Sequence, residues 1–297
     1  MTPATTALAR TARGPAPYLI PALLAVGLTM YGPLLAVTTL SLFDFNLTTQ
    51  APQWAGPDNY GDVMSSPEAG TALRNTIAYM VAIIPLSVVA PGLAAIAVWR
   101  LGGRLTGFYR TVFFLPVLIP PAVGAVMWQW IFNPVLGITS APLDLLGAGP
   151  VSWLTEPASA FIAVTIVAGW KVFGLSFILF TAGLTSIDAD LMAAARLDRA
   201  GEWQLLRHIV LPMLRPVTTV VLFATVVFAG PWTFGVIDVL TQGGPAGATS
   251  NVYYLLYQLG FGYFDGGPAS ALSVLITVGF AAVVAVQMRV SSRGEQR

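Results

Sequence analysis

No cysteine occurs among the 297 residues, and histidine and lysine occur once each, as His208 and Lys171. The missing thiols exclude disulfides, thiolate metal sites and cysteine nucleophiles. One imidazole and one amine leave little material for general acid–base or nucleophilic chemistry. Charge is scarce as well. Charged residues make up 9% of the chain and the net charge is +1, where a soluble domain carries about a quarter charged residues. No basic or acidic excess points to nucleic acid as a partner. Asp44, Asp58 and Glu68 do not join the single histidine in a ligand pattern, so no metal site is expected.

Apolar residues are abundant instead: 56% of the chain, with a mean hydropathy of +0.76. Such a chain could not cover its surface with polar groups in water, and it reads as an integral membrane protein. Apolar runs lie at about 18–43, 77–99, 112–132, 160–184, 217–240 and 271–290. Each is near the roughly 20 residues that cross about 30 Å of hydrocarbon as a helix. The first run exceeds a signal-peptide core and lacks a small-residue cleavage site after it, so it is expected to remain as a span. Continuous apolarity without two-residue alternation selects helices over a barrel. Pro33, Pro85, Pro91, Pro116, Pro120, Pro121 and Pro231 fall inside the runs. Neighbouring helices in a bundle can re-satisfy the carbonyls they free, so kinked spans are acceptable.

Arginines set the expected orientation. Arg10 and Arg13, then Arg100, Arg104 and Arg110, then Arg196, Arg199, Arg207 and Arg215, then Arg289, Arg293 and Arg297 occupy alternate connections. With six crossings, twelve of the fourteen basic residues share one side, which places both termini in the cytoplasm. The expected organisation is an all-α six-helix transmembrane bundle over 17–291, with cytoplasmic tails at 1–16 and 292–297.

The connection at 185–216 is long for a segment that only turns the chain. Asp188 can cap a helix, Asp190 suits its first turn, and Ala193, Ala194 and Ala195 favour helix. Gly201 can end it. A second short helix from about Glu202 to Val210 then runs into Leu211-Pro212. Two short helices joined by a bend make a cytoplasmic knob that a soluble partner could grip. An amphipathic helix lying on the membrane surface is the other reading of the same residues.

The residues Ala193-Ala194-Ala195-Arg196-Leu197-Asp198-Arg199-Ala200, with Ile209-Val210-Leu211-Pro212, resemble the EAA loop of ABC-importer permeases. That loop runs Glu-Ala-Ala, three residues, Gly, nine residues, then Ile-x-Leu-Pro. Ala194, Ala195, Asp198, Ala200, Ile209, Leu211 and Pro212 match in register, while Ala193 stands for the family's Glu and Arg199 for its Gly. The second departure assigns the bend to Gly201. Further stretches resemble the maltose and glycerol-3-phosphate permeases: Phe43-Asp44-Phe45, Gly56-Pro57-Asp58-Asn59-Tyr60, Arg74-Asn75-Thr76, Phe113-Phe114-Leu115-Pro116, Ser152-Trp153-Leu154-Thr155 and Thr241-Gln242-Gly243-Gly244-Pro245.

The resemblance implies a type I importer permease in the cytoplasmic membrane of a prokaryote. It implies a heterodimer with a second permease, two copies of a cytoplasmic ATPase that bind ATP and Mg, an extracytoplasmic solute-binding protein, and a sugar or glycerol-3-phosphate-like substrate. Ala193, Ala194, Ala195, Asp198, Arg199, Ala200, Gly201, Ile209, Leu211 and Pro212 become the ATPase-coupling positions. The chain should not hydrolyse ATP itself, because Gly-x4-Gly-Lys-Ser/Thr is absent and its lysine lies in an apolar run.

Sugars are held by aromatic faces flanked by hydrogen-bonding groups. Gln129 between Trp128 and Trp130, and Gly230-Pro231-Trp232-Thr233-Phe234, offer both. Carry-over from the maltose type favours Trp232 and Phe234. Aromatics in spans also serve as packing or interface belt. Lys171 is expected near mid-bilayer, where it either meets a substrate or pairs with a carboxylate or a helix carbonyl. An ion-coupled secondary transporter is the alternative class, but the spans supply only Lys171 as an unambiguous ionisable group. A serine hydrolase fails for want of Gly-x-Ser-x-Gly, since Gly174-Leu175-Ser176-Phe177-Ile178 lacks the last glycine.

Overall fold

The computed structural model describes residues 16–49, 51–101, 105–139 and 151–294. The expected tails therefore fall largely outside the described residues, as do Arg10, Arg13, Arg104 and Arg297. Among the described residues, five helices are long and apolar enough to cross a membrane: Tyr18–Leu40, Pro67–Leu101, Pro157–Thr185, Arg215–Leu240 and Gly266–Arg289. Their order matches the first, second, fourth, fifth and sixth runs. Outside them, a two-residue hairpin pairs Phe43–Asp44 with Gln53–Trp54, and short helices Asp58–Ser65 and Val252–Tyr257 lie beside the second and sixth spans.

The third run corrects the expectation of one continuous crossing. It forms two helices, Thr106–Leu118 and Pro121–Ile131, bent by 104° at the break. Two successive prolines remove two amide donors, and each disfavours helical geometry in the residue before it. Pro120 accordingly sits at φ −54° and ψ 144°, as the N-cap of the second half. The bundle has six spans when this broken pair counts as one crossing.

Other prolines are absorbed without a break. Three of the four π-helical turns among the described residues, Gly27–Tyr31, Pro85–Val89 and Leu206–Val210, precede Pro33, Pro91 and Pro212. Each turn is centred on the residue four before its proline, Thr29, Ser87 or His208, whose carbonyl the missing N–H would have served. Widening the helix by one residue reroutes the backbone bonds past the gap.

The fourth span is the centre of the bundle. It packs against the second and fifth spans and both halves of the third, and it is the most buried of the long helices. Several of its inward residues are small, with Ala160, Ala163, Ala168, Gly169 and Gly174 all buried. Small residues let helix backbones approach closely where lipid offers no hydrophobic drive for association. The first span is the opposite case. None of its span window is buried, and its main neighbour among the described residues is the sixth span.

Candidate functional site

The knob at 185–216 is present, and its local chemistry explains its shape. The Asp188 carboxylate accepts from the Asp190 amide at 2.8 Å and starts the helix Ala189–Leu197. That helix ends in a Schellman closure: the Ala200 amide donates to the Ala195 carbonyl at 3.0 Å, and the Arg199 amide to the Arg196 carbonyl at 3.0 Å. The left-handed residue is Arg199, at φ 60°. This corrects the assignment of the bend to Gly201, which has φ −71° and instead precedes the next helix, Glu202–Leu205. The side-chain oxygen of Gln204 accepts from the Gly201 amide at 2.8 Å. Arg199 thus holds, at a conformational cost of about 1–2 kcal/mol, the geometry that a glycine would adopt freely.

The knob is not a surface-lying amphipathic helix. Met192, Leu205, Val210 and Leu214 are buried in one cluster with Ile96 and Val98 of the second span, Phe177, Phe180 and Leu184 of the fourth and Val221 of the fifth. Ala195, Ala200 and Ile209 pack against the same cluster, whereas Ala193, Ala194, Asp198 and Arg199 face outward. Glu202 pairs with Arg196 and with Arg100 at the end of the second span, each at 3.6 Å. These exposed pairs add little stability, but they tie the knob to a second span. Leu197 is 85% exposed and Trp203 66%. Sequence reasoning did not select these two, although an apolar residue between Arg196 and Asp198 was a readable signal. A cleft of about 320 Å³ lies beside them, lined by Asp198, Ala200, Gln204, Leu205, His208 and Ile209. Leu211 is exposed, and Pro212 opens the last short helix before the fifth span.

The candidate pathway residues do not converge. Trp232 and Phe234 are two residues apart on one helix, hence roughly 200° apart around its axis. Trp232 stacks on Phe228 with ring centroids 5.3 Å apart, and Phe234 meets Tyr257 at 5.6 Å. Pro231 does not interrupt the helix Arg215–Leu240. The Gly230 carbonyl accepts from the Asn251 amide nitrogen at 3.0 Å, and that nitrogen also donates to Thr233 at 2.8 Å. Asn251, fully buried, also caps Val252–Tyr257 through the Tyr254 amide at 2.7 Å. Gln129 is exposed on the second half of the broken span. Trp128 packs against Phe132 and Trp170.

Lys171 meets carbonyls. Its Nζ donates to the Pro116 carbonyl at 3.3 Å and to the Ile119 carbonyl. A charge at the centre of a span costs roughly 2.5–3.5 kcal/mol on insertion scales, and these two acceptors offset part of it.

On the opposite end, Asn75 donates to the carbonyls of Gly247, Ala248 and Ser250 at 3.2, 3.0 and 2.9 Å. Tyr79 reaches the Thr249 carbonyl at 3.1 Å. A cavity of about 770 Å³ opens there among Asp62, Glu68, Gln242, Tyr254, Tyr263 and Asp265. Burial and the charges of Asp44 and Asp62 hold the Asp265 carboxyl above the usual aspartate value.

The described residues form a multi-pass helical bundle with a knob packed under three of its spans. Residues 87–295 match the family described as "Binding-protein-dependent transport system inner membrane component", and the chain belongs to it. It is 34% identical to the sn-glycerol-3-phosphate transport system permease protein UgpA of Agrobacterium fabrum, over 80% of each chain. It is 32% identical to the trehalose/maltose transport system permease protein MalF of Thermococcus litoralis, over 88% of this chain and 87% of that one. The structure of a bacterial ABC transporter involved in import of alginate superimposes with a TM-score of 0.81 at 21% identity, covering 94% of both chains. That likeness supports the bundle fold.

Proposed function

We propose that this chain is one of two dissimilar permease subunits of an ATP-driven importer carrying a sugar, or a glycerol-phosphate-like solute. The relatives named for maltose, trehalose and glycerol-3-phosphate support that substrate class. In this reading two copies of a cytoplasmic ATPase hold ATP and Mg, a binding protein delivers solute from outside, and this chain performs no hydrolysis. The broken span counts as a crossing, which keeps both termini and the knob on the cytoplasmic side.

The observation that carries the reading is the knob's construction. Its tip offers Leu197 and Trp203 to a partner while its base shares a core with the second, fourth and fifth spans. Packed interiors transmit displacement instead of absorbing it. Closure of a motor against the tip would therefore move three spans together and switch the bundle between two arrangements. The exposed first span is free to pack on the second permease.

The chain lacks cysteine, so a single one introduced at Leu197 reports cleanly. In the transporter purified with its partners, it should cross-link to the ATPase with a yield that changes on ATP binding. Uptake in proteoliposomes driven by an ion gradient, with no ATPase present, would overturn the proposal in favour of a secondary transporter.

A further inference from the structure

We propose that Lys171 is a positioning residue: it caps the broken end of the third span from the neighbouring helix and fixes the angle of the half-helix Pro121–Ile131. The inference concerns the bundle itself and holds whatever solute is carried.

A helix end leaves its last carbonyls without intrahelical donors. Here the Pro116 carbonyl would ordinarily receive the amide of residue 120, which is proline and has none. The weak substitute is the Ile119 amide, at 3.3 Å. The Ile119 carbonyl is the last before the chain turns extended at Pro120. No water reaches the hydrocarbon to satisfy such groups, so broken backbone persists there only where protein or a cavity serves it. The Lys171 ammonium supplies donors to both carbonyls. It is a cation at a helix C-terminus, the end whose dipole favours positive charge.

The fourth span grips this break at successive levels. One turn nearer its C-terminus, Gly174 lies so close to the first half that an added Cβ would stand 2.4 Å from the Phe113 carbonyl oxygen. Beside the lysine, the Trp170 ring lies against Gly124 of the second half and meets Trp128 edge-on, with centroids 5.7 Å apart. Gly174 thus seats one half, Trp170 seats the other, and Lys171 fills the gap in backbone bonding between them. Two of the three ammonium N–H donors are thereby committed to backbone.

The test uses the cysteine-free chain in the purified transporter, with spin labels on cysteines replacing Phe108 and Trp130, both exposed. A straight helix would separate these positions by about 33 Å, and the 104° bend shortens that to about 20 Å by geometry. Lys171→Met should broaden the distribution and shift it by several ångströms. Lys171→Arg, which keeps a cationic donor, should retain the narrow one. Uptake by Lys171→Met should show a reduced maximal rate at unchanged KM. A narrow separation near 20 Å in Lys171→Met, or a raised KM with the separation unchanged, would overturn the proposal. If Lys171→Met fails to accumulate, wild-type levels of Lys171→Arg support the cap. Loss of both variants alike would show that a cationic donor at this position does not suffice, and the cap assignment fails.

Discussion

The amide of Ala200 donates to the carbonyl of Ala195 across 3.0 Å, and the closure works only because Arg199 between them sits at φ 60°. An arginine there carries a Cβ too close to its own carbonyl. Arg199→Gly removes that strain, though it also frees the unfolded chain. The net expectation is a gain of about 0.5–1 kcal/mol, read as a rise in thermal midpoint of the detergent-solubilised protein. Arg199→Val, β-branched and intolerant of positive φ, should lower the midpoint. A fall with Gly would mean that the arginine side chain itself holds the bend.

Leu197 and Trp203 are the most exposed apolar groups of the knob, whereas Ala195 packs into its base. A bulky charge at Ala195 would therefore disrupt the knob before it disturbed any partner contact. Leu197→Ser or Trp203→Ala should leave the fold intact and weaken docking of the ATPase, each by about 1–2 kcal/mol, on the order of ten-fold in affinity. Co-purification and ATP-dependent uptake would fall together while thermal stability stays at the wild-type value. Wild-type uptake by the double variant would remove these residues from the interface.

Most of the bundle was legible because apolar runs of about 20 residues have one structural solution in lipid. The knob's two helices were legible from caps, alanines and proline. Its bend was misassigned because a glycine two residues away has the better intrinsic preference, and only the backbone bonds reveal which residue pays the conformational cost. The third span's break was written in Pro120-Pro121, where two donors are lost in succession, whereas the single prolines Pro33 and Pro91 are absorbed by π-turns. The Lys171 contacts to the freed carbonyls, more than 50 residues on in the sequence, carry no local signal. Asn75 and Thr241–Pro245 were recognised as separate motifs. That Asn75 clamps the loop following the second is a contact across more than 170 residues, invisible to periodicity. Trp232 and Phe234 looked like one site as neighbours in sequence, but helical geometry divides them.

Gly174 and Gly169 allow two close approaches of different hardness. A Cβ on Gly174 would stand 2.4 Å from the backbone oxygen of Phe113; one on Gly169 would stand 2.3 Å from the Leu86 Cδ1, which can rotate, and 2.8 Å from the Leu86 Cβ, which moves only with its backbone. Gly174→Ala should cost about 2–3 kcal/mol and Gly169→Ala less, about 1–2 kcal/mol, within the range for overpacked cores. Thermal unfolding of both variants in the same detergent gives the comparison. Equal costs would show that the helices separate easily at Phe113 and that the fourth span does not fix the broken one.

Asp265 makes the end of the bundle opposite the knob pH-sensitive in a definite direction. Burial, then the charges of Asp44 and Asp62, raise its carboxyl above the ordinary aspartate value in the folded protein. The folded state therefore binds the proton more tightly than the unfolded chain does. The stability this contributes is complete below the unfolded value and is lost as pH rises through the folded one. Asp265→Asn keeps the size and the main-chain bond from residue 265 to the Leu259 carbonyl, 2.8 Å long, and removes the charge. At neutral pH the variant should unfold at a higher temperature than wild type, and the gap should close as pH falls towards 4. Melting curves from pH 4 to 7.5 decide the matter: a gap that is constant with pH, or a variant less stable at neutral pH, would show that the carboxylate is favourably held there and that its neighbours do not repel it.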